Sequence, residues 1–283
     1  MISARQASFA VDNRYLVKDV DLDLVPGRMT VVIGPNGAGK STLFRLLTGE
    51  IAPTAGEVVV AGQNVRRLSA FEMAWLRAVV PQHTVLAFPF SVAEVVELGM
   101  TVPGLIPSGN RARTLTLAML DRVGLRPLAE RAYTTLSGGE RQRVHIARAL
   151  AQLEAAERIS ARDQIHPART LFVDEPTSSL DIAHQLLVLG ELRREAGNGR
   201  AVLAVLHDLN LAAANADEIV LMSEGYQIAR GRPADVLTDE ALSAAYGCEI
   251  RLNAIPNPGV PFLLPQVCGL LPAPSAANRR ARA

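Results

Sequence analysis

Cysteine is nearly missing from this chain. Cys248 and Cys268 are the only two in 283 residues, too few and too far apart for a disulfide framework or a zinc site, and they suit a reducing compartment. A surplus of one charge is missing too. Twenty-nine basic side chains face 28 acidic ones, for a net charge of +1, and the two signs are interleaved, so nothing in the charge suggests a sequence-independent grip on nucleic acid. Long apolar runs are absent: no uncharged stretch approaches the ~20 residues needed to span a bilayer. The opening residues, Met1 to Phe9, lack the charged start and apolar run of a signal peptide. If the protein works at a membrane, another chain is expected to do the crossing. The length allows one large domain or two modest ones, with ample core.

What is present is a recurrence of short apolar runs followed by helical patterns, which predicts a parallel α/β core. Residues 29–33 read as a buried strand, and residues 40–48 have helical spacing with Gly49 as the stop. Residues 57–61 read as a strand of a smaller antiparallel part, turning at residues 62–64. Residues 91–151 are expected to be mostly helical, broken by a loop over 103–110. Apolar strands follow at 170–173, 201–206 and 218–222. From Leu252 proline and glycine become frequent, and residues 272–283 read as a loose basic tail.

Gly34-Pro-Asn-Gly-Ala-Gly-Lys-Ser41 fits the phosphate-loop pattern in the required place, after a strand and before a helix. Its glycines let backbone N–H groups wrap phosphates, and the helix N-terminus adds a favourable dipole. Lys40 is expected to neutralise the β- and γ-phosphates, and Ser41 to coordinate Mg²⁺. The strand at 170–173 ends in Asp174-Glu175, carboxylates that project beyond the sheet's edge. Asp174 is expected to hold Mg²⁺ through water, and Glu175 to polarise the attacking water. Taken alone the pair could equally cap the following segment.

Leu136-Ser-Gly-Gly-Glu140 precedes a helical run and makes a second anion-binding terminus, for which a partner subunit's nucleotide has a use. Read without context it is a serine-capped helix with a flexible entry. Gln82 and His207 each follow a strand, where such residues are ordinarily just polar loop positions. His83, His145, His166 and His184 show no metal-ligand spacing and are read as structural.

Together these strings resemble the ATP-binding cassette (ABC) family over roughly residues 3 to 250. Residues 34–42 look like its Walker A, Gln82 like its Q-loop glutamine and Leu136–Glu140 like its signature. Residues 170–175 look like Walker B, Ser179-Leu-Asp181 like the D-loop and His207 like the switch histidine.

The resemblance implies a P-loop NTPase of ABC type: a RecA-like parallel-sheet core, an antiparallel β subdomain and an α-helical signature subdomain over about 85–150. A C-terminal extension covers 251–283, its last dozen residues expected to be disordered. It implies ATP and Mg²⁺ as cofactors. Gly34, Pro35, Asn36, Gly37, Ala38, Gly39, Lys40, Ser41 and Thr42 would bind nucleotide in one chain, and Ser137, Gly138 and Gly139 would complete the site in its partner. Ser41, Gln82 and Asp174 would serve the metal, and Glu175, His207 and Gln82 the catalysis. It implies a head-to-tail homodimer on two permease subunits at the cytoplasmic face of a bacterial inner membrane, served indirectly by a periplasmic binding protein, with no nucleic-acid partner.

Residues 80–99 and 180–185 are most similar to importer cassettes for iron chelates, haem and cobalamin. Leu86-Ala-Phe-Pro-Phe90, together with an expanded segment over 152–169, points within that group to haemin importers. That segment is polar and charged, lengthens the spacing by roughly fourteen residues and is expected to be a surface insertion whose removal spares ATP turnover. A soluble repair or chromosome ATPase of this family would need a long coiled coil between Gln82 and Leu136, where only 53 residues lie. One departure stands out: the usual adenine-stacking aromatic falls at Val11, which leaves either nearby Tyr15 as a substitute or apolar contact alone to hold the base.

Overall fold

The computed structural model describes residues 1–82, 86, 88–102, 110–160, 169–255, 257, 259–261 and 263–264. Cys268, His83, His166, most of the 103–110 loop, residues 161–168 of the expected insertion and the basic tail lie outside them.

In chain order the elements begin with β1 (Ile2–Val11), β2 (Arg14–Leu24), β3 (Met29–Ile33) and α1 (Lys40–Leu47). Next come β4 (Ala55–Val60), β5 (Gln63–Asn64), α2 (Ala70–Leu76), β6 (Arg77–Val80), α3 (Val92–Glu97) and α4 (Arg111–Arg122). Then follow α5 (Gly138–Ser160), β7 (Thr170–Asp174), α6 (Ile182–Gly197), β8 (Ala201–Val205) and α7 (Leu209–Asn215). The last are β9 (Glu218–Ser223), β10 (Tyr226–Gly231), α8 (Pro233–Val236) and α9 (Asp239–Tyr246).

The strands form a sheet of order β5-β4-β1-β2-β10-β9-β3-β8-β7-β6. From β9 to β6 every pair is parallel, whereas β1, β2, β4 and β5 pair antiparallel. All five residues of β3, β7 and β8 are buried, as expected of parallel strands covered on both faces. Successive side chains then feed opposite layers. Val31, Ile33, Leu171 and Val173 join the core beneath α3, α4, α5 and α6. Val32 and Phe172 join a second core against α1 and the antiparallel strands, where Phe172 meets Phe44 edge-on at 5.7 Å. Among the described residues no helix is long and apolar enough to cross a membrane.

The expected insertion needs correcting. Residues 152–160 are not a surface excursion but the last turns of α5, with Leu153, Ala155, Ala156 and Ser160 buried. The Gln152 amide donates to the carbonyls of Ala74 and Arg77 at 2.7 and 3.0 Å. Buried Arg169 donates to Ala156 O at 2.8 Å and Ser160 Oγ at 2.5 Å.

The charged residues there belong to an internal network. Arg200 bonds Glu157 and the fully buried Glu195, and lies 3.3 Å from Glu154. Arg122 of α4 reaches Glu191 and Glu195, both at 2.5 Å. Deleting residues 152–160 would leave Arg200 only Glu195 and would strip buried Leu153, Ala155 and Ala156 from the core, with roughly 2–5 kcal/mol lost for the leucine alone. Deleting residues 152–160 is therefore expected to abolish cooperative folding, and a thermal melt of the purified deletion checks it. Retention of the parent's melting temperature would restore the insertion reading.

Candidate functional site

Because β3, β8, β7 and β6 are adjacent and parallel, their carboxyl ends share one edge of the sheet, where open α/β folds place ligands. The phosphate loop follows β3, His207 lies just beyond β8, Asp174 and Glu175 close β7, and Gln82 follows β6. The strand order thus assembles residues that are up to 173 positions apart, from Gly34 to His207.

Two loop glycines are required by space. A Cβ on Gly34 would lie 2.1 Å from the Met222 carbonyl oxygen, and one on Gly39 would lie 2.3 Å from that of Leu16. Gly39 has φ 93° and caps α1, whose first turn carries no acidic residue. A helix's first turn leaves backbone N–H groups without intrahelical partners, so this one points free donors at the loop. Lys40 is buried, and its Nζ donates to the carbonyls of Gly34 at 2.7 Å and Pro35 at 2.8 Å. Burial lowers the pKa of its ammonium, and the carboxylates of Glu175 and Asp174 pull it back up.

Glu175 is the centre of the carboxylate cluster. Its Oε2 accepts from Gln82 Nε2, and its Oε1 faces His207 Nε2, both at 2.5 Å. Its backbone sits at φ +48°, a left-handed conformation that costs a non-glycine residue of order 1–3 kcal/mol and clusters at functional sites. A hydrogen bond from Glu175 N to Val205 O at 3.1 Å holds it there. Asp174 is buried at 8% exposure. Ser41, Asp174 and the Gln82 carbonyl are hard oxygen donors of the kind Mg²⁺ takes. Among the described residues no cluster of His, Cys, Asp and Glu suits another metal.

The Ser137-Gly138-Gly139 terminus stands apart. It lines a 400 Å³ cavity with Ser179, Leu180, Asp181 and His184, whereas Pro35–Ala38 line a different cleft of 740 Å³. A Cβ on Gly139 would lie 2.9 Å from Leu180 Cδ2 and 3.0 Å from Ser179 O, so the glycine permits the close approach. Ser137 N–H donates to Glu140 Oε2 at 2.8 Å, and Glu140 N–H donates to Ser137 Oγ at 3.3 Å. That reciprocal cap holds the Glu140 carboxyl below its ordinary range, chiefly through the Ser137 N–H. The Ser-x-x-Glu spacing could have disclosed it, as at Ser69–Glu72 and Ser91–Glu94.

Tyr15 borders the 740 Å³ cleft beside the phosphate loop, together with Tyr226 and Tyr246. Lys18 Nζ lies 5.2 Å from the Tyr15 ring centre and 5.4 Å from that of Tyr226. Val11 is exposed and not among the residues lining that cleft. The sequence carries no signal for Tyr226, which only the fold brings here.

The ABC transporter family pattern matches residues 17–155. The chain is 43% identical over 266 residues to the hemin import ATP-binding protein HmuV of Rhizobium meliloti (strain 1021), covering 94% of this chain and 98% of that one. The protein of the same name from Gloeobacter violaceus is 43% identical over 265 residues, 94% of each chain. Among solved structures, a chain of an inward-facing transporter described as metal-chelate type is 29% identical. Its TM-score is 0.69, covering 86% of this chain and 88% of that one. A dimeric ATP-binding cassette in a post-hydrolysis state with ADP and Pi is 26% identical at TM-score 0.68, over 82% of this chain and 99% of that one.

Proposed function

The chain belongs to the ABC transporter family, whose cassettes bind and hydrolyse ATP, and from that premise we propose that it powers haem uptake through a separate permease. The observation that carries the hydrolytic part is Glu175, bridged between Gln82 and His207 at the end of β7, on the sheet edge that also carries the phosphate loop. Each carboxylate oxygen has two lone pairs, so after accepting from Gln82 or facing His207 it can still take a proton from water. Lys40 lies close enough to feel the charges of Glu175 and Asp174.

In this reading ATP lies along residues 34–42, its phosphates on the loop N–H groups and on the Lys40 ammonium. Ser41, Asp174 and the Gln82 carbonyl would hold Mg²⁺, which supplies charge neutralisation at the β- and γ-phosphates when bound. Gln82 commits its amide nitrogen to Glu175, which leaves its oxygen for that task. Glu175 polarises the attacking water, and His207 meets the γ-phosphate.

Ser137, Gly138 and Gly139 of a second copy complete the site. Their separation from the phosphate loop within one chain supports this, because a two-fold dimer would form two such composite sites at once. Closure on ATP and reopening after hydrolysis would drive two permease subunits, with the cassette docked at the inner face of the bacterial inner membrane and a periplasmic haem-binding protein delivering cargo.

Haem as cargo is supported by likeness to hemin import proteins over nearly the whole chain. The metal-chelate transporter favours a second reading, a ferric siderophore or cobalamin, with the same ATPase. Growth of a disruption mutant with haem as the only iron source, beside a ferric-siderophore control, separates them. Loss on haem alone, restored by the wild-type gene and not by Glu175→Gln, is the expected result. Loss on the siderophore alone would overturn the haem assignment.

A further inference from the structure

Tyr133 and His145 are almost wholly buried, at 2% and 3% exposure, and Tyr133 Oη lies 2.8 Å from His145 Nε2. The rings meet edge-on with centroids 5.6 Å apart. Burial, reinforced by the Arg148 charge, pushes the imidazole down to about 4, so at neutral pH it is uncharged and its Nε2 shares one hydrogen bond with the tyrosine hydroxyl. A buried phenol or imidazole without a partner is costly, so this bond selects one placement of the Tyr133 side chain.

The backbone of Tyr133 is a junction. Its N–H donates to Phe90 O at 2.8 Å, and its carbonyl accepts from Leu136 N at 3.1 Å, one residue before Ser137. Arg141 secures the same segment by donating to Thr134 O at 2.7 Å, with its guanidinium 5.7 Å from the Tyr133 ring centre. The neighbouring residues are tied likewise, Val92 N to Arg131 O at 2.9 Å and Ser91 bridged to Ala132. The chain leaving Gln82 and the chain entering the signature are therefore stitched together at Tyr133, and the Tyr133 hydroxyl is pinned to α5.

We propose that Tyr133 and His145 are positioning residues that set Ser137 where it meets the nucleotide of a second chain, a role that rests on the composite-site reading above. Neither touches the phosphate loop. Both act through the entry to α5.

The test uses the full chain with Glu175→Gln as parent, reading nucleotide binding to the monomer and ATP-driven dimerisation separately. Tyr133→Phe keeps the ring and removes the hydrogen bond. Monomer binding is expected to stay at the parent value, while the ATP concentration for half-dimerisation rises about tenfold, the size of one buried hydrogen bond. In the Glu175 background the same change raises the ATP KM. His145→Gln, whose amide can take either role in that bond, recovers most of the loss. Tyr133→Phe combined with His145→Leu removes both polar groups, so it recovers thermal stability but not dimerisation. If Tyr133→Phe and that double variant dimerise like the parent, the pair is structural only and the proposal is overturned. If the Glu175→Gln parent itself fails to dimerise with ATP, the composite-site reading fails and takes the proposal with it.

Discussion

Glu175→Gln is expected to lower ATP turnover by about 10²- to 10⁴-fold, the usual worth of a positioned general base, equivalent to roughly 3–5 kcal/mol of barrier. The substitution keeps the shape of the side chain and removes one acceptor oxygen and the charge. The fold should survive it, because the left-handed backbone at residue 175 is held by Val205 O and not by the carboxylate. The remaining carbonyl oxygen can accept from Gln82 or from His207, but no longer from both and from water as well. Nucleotide binding should persist or tighten, since a negative charge beside Lys40 that competes with the phosphates has been removed. Binding without hydrolysis should then accumulate a closed dimer. Turnover assays with size-exclusion chromatography in ATP and in ADP check both halves. Hydrolysis at the wild-type rate would mean that another group polarises the water.

The carboxyl edge of the sheet is legible in part because buried parallel strands write themselves as unbroken apolar runs. Strands β3 and β8 lie where those runs predict, and the loop after β3 carries its own pattern. An antiparallel β subdomain is expected, but its β1–β2 hairpin is not legible in the sequence. Its alternation breaks at bulges, with Gln6 and Asp19 at positive φ and register shifts between Ala4 and Ala10, so a period of two slips phase along each strand.

The end of α5 reads as exposed in the sequence for a different reason. Its buried face there is largely small, Ala155, Ala156 and Ser160, and its acidic face pairs with Arg200, more than 40 residues away. Charge in a sequence reads as exposure unless the distant partner is known. The same limit applied to Gln82 and His207. Each alone is an ordinary polar residue after a strand, and only the order β8-β7-β6 places both on Glu175.

Lys40→Ala should weaken nucleotide binding by about ten- to a hundred-fold, from the 1.5–3 kcal/mol typical of one hydrogen bond to a charged group. An ammonium has three protons to donate. Two already go to the Gly34 and Pro35 carbonyls, which leaves one for a phosphate oxygen without dismantling the loop. Alanine removes that donor and the positive charge, and the carboxylates of Asp174 and Glu175 then face an incoming polyanion with no counter-charge between them. It also strips the two carbonyls of their donor, so part of any loss could come from a disturbed loop. Lys40→Arg separates these effects. It keeps the charge, but its planar guanidinium cannot reproduce the compact ammonium in a pocket where the side chain is 94% buried, the complement of its 6% exposure. A charge effect alone would let arginine restore most of the affinity, whereas loop geometry would leave it nearly as weak as alanine. Equilibrium binding of labelled ATP to the three proteins, each first shown to melt cooperatively, distinguishes the outcomes. Unchanged binding by Lys40→Ala would remove the lysine from the nucleotide site and with it the assignment of residues 34–42 as the phosphate loop.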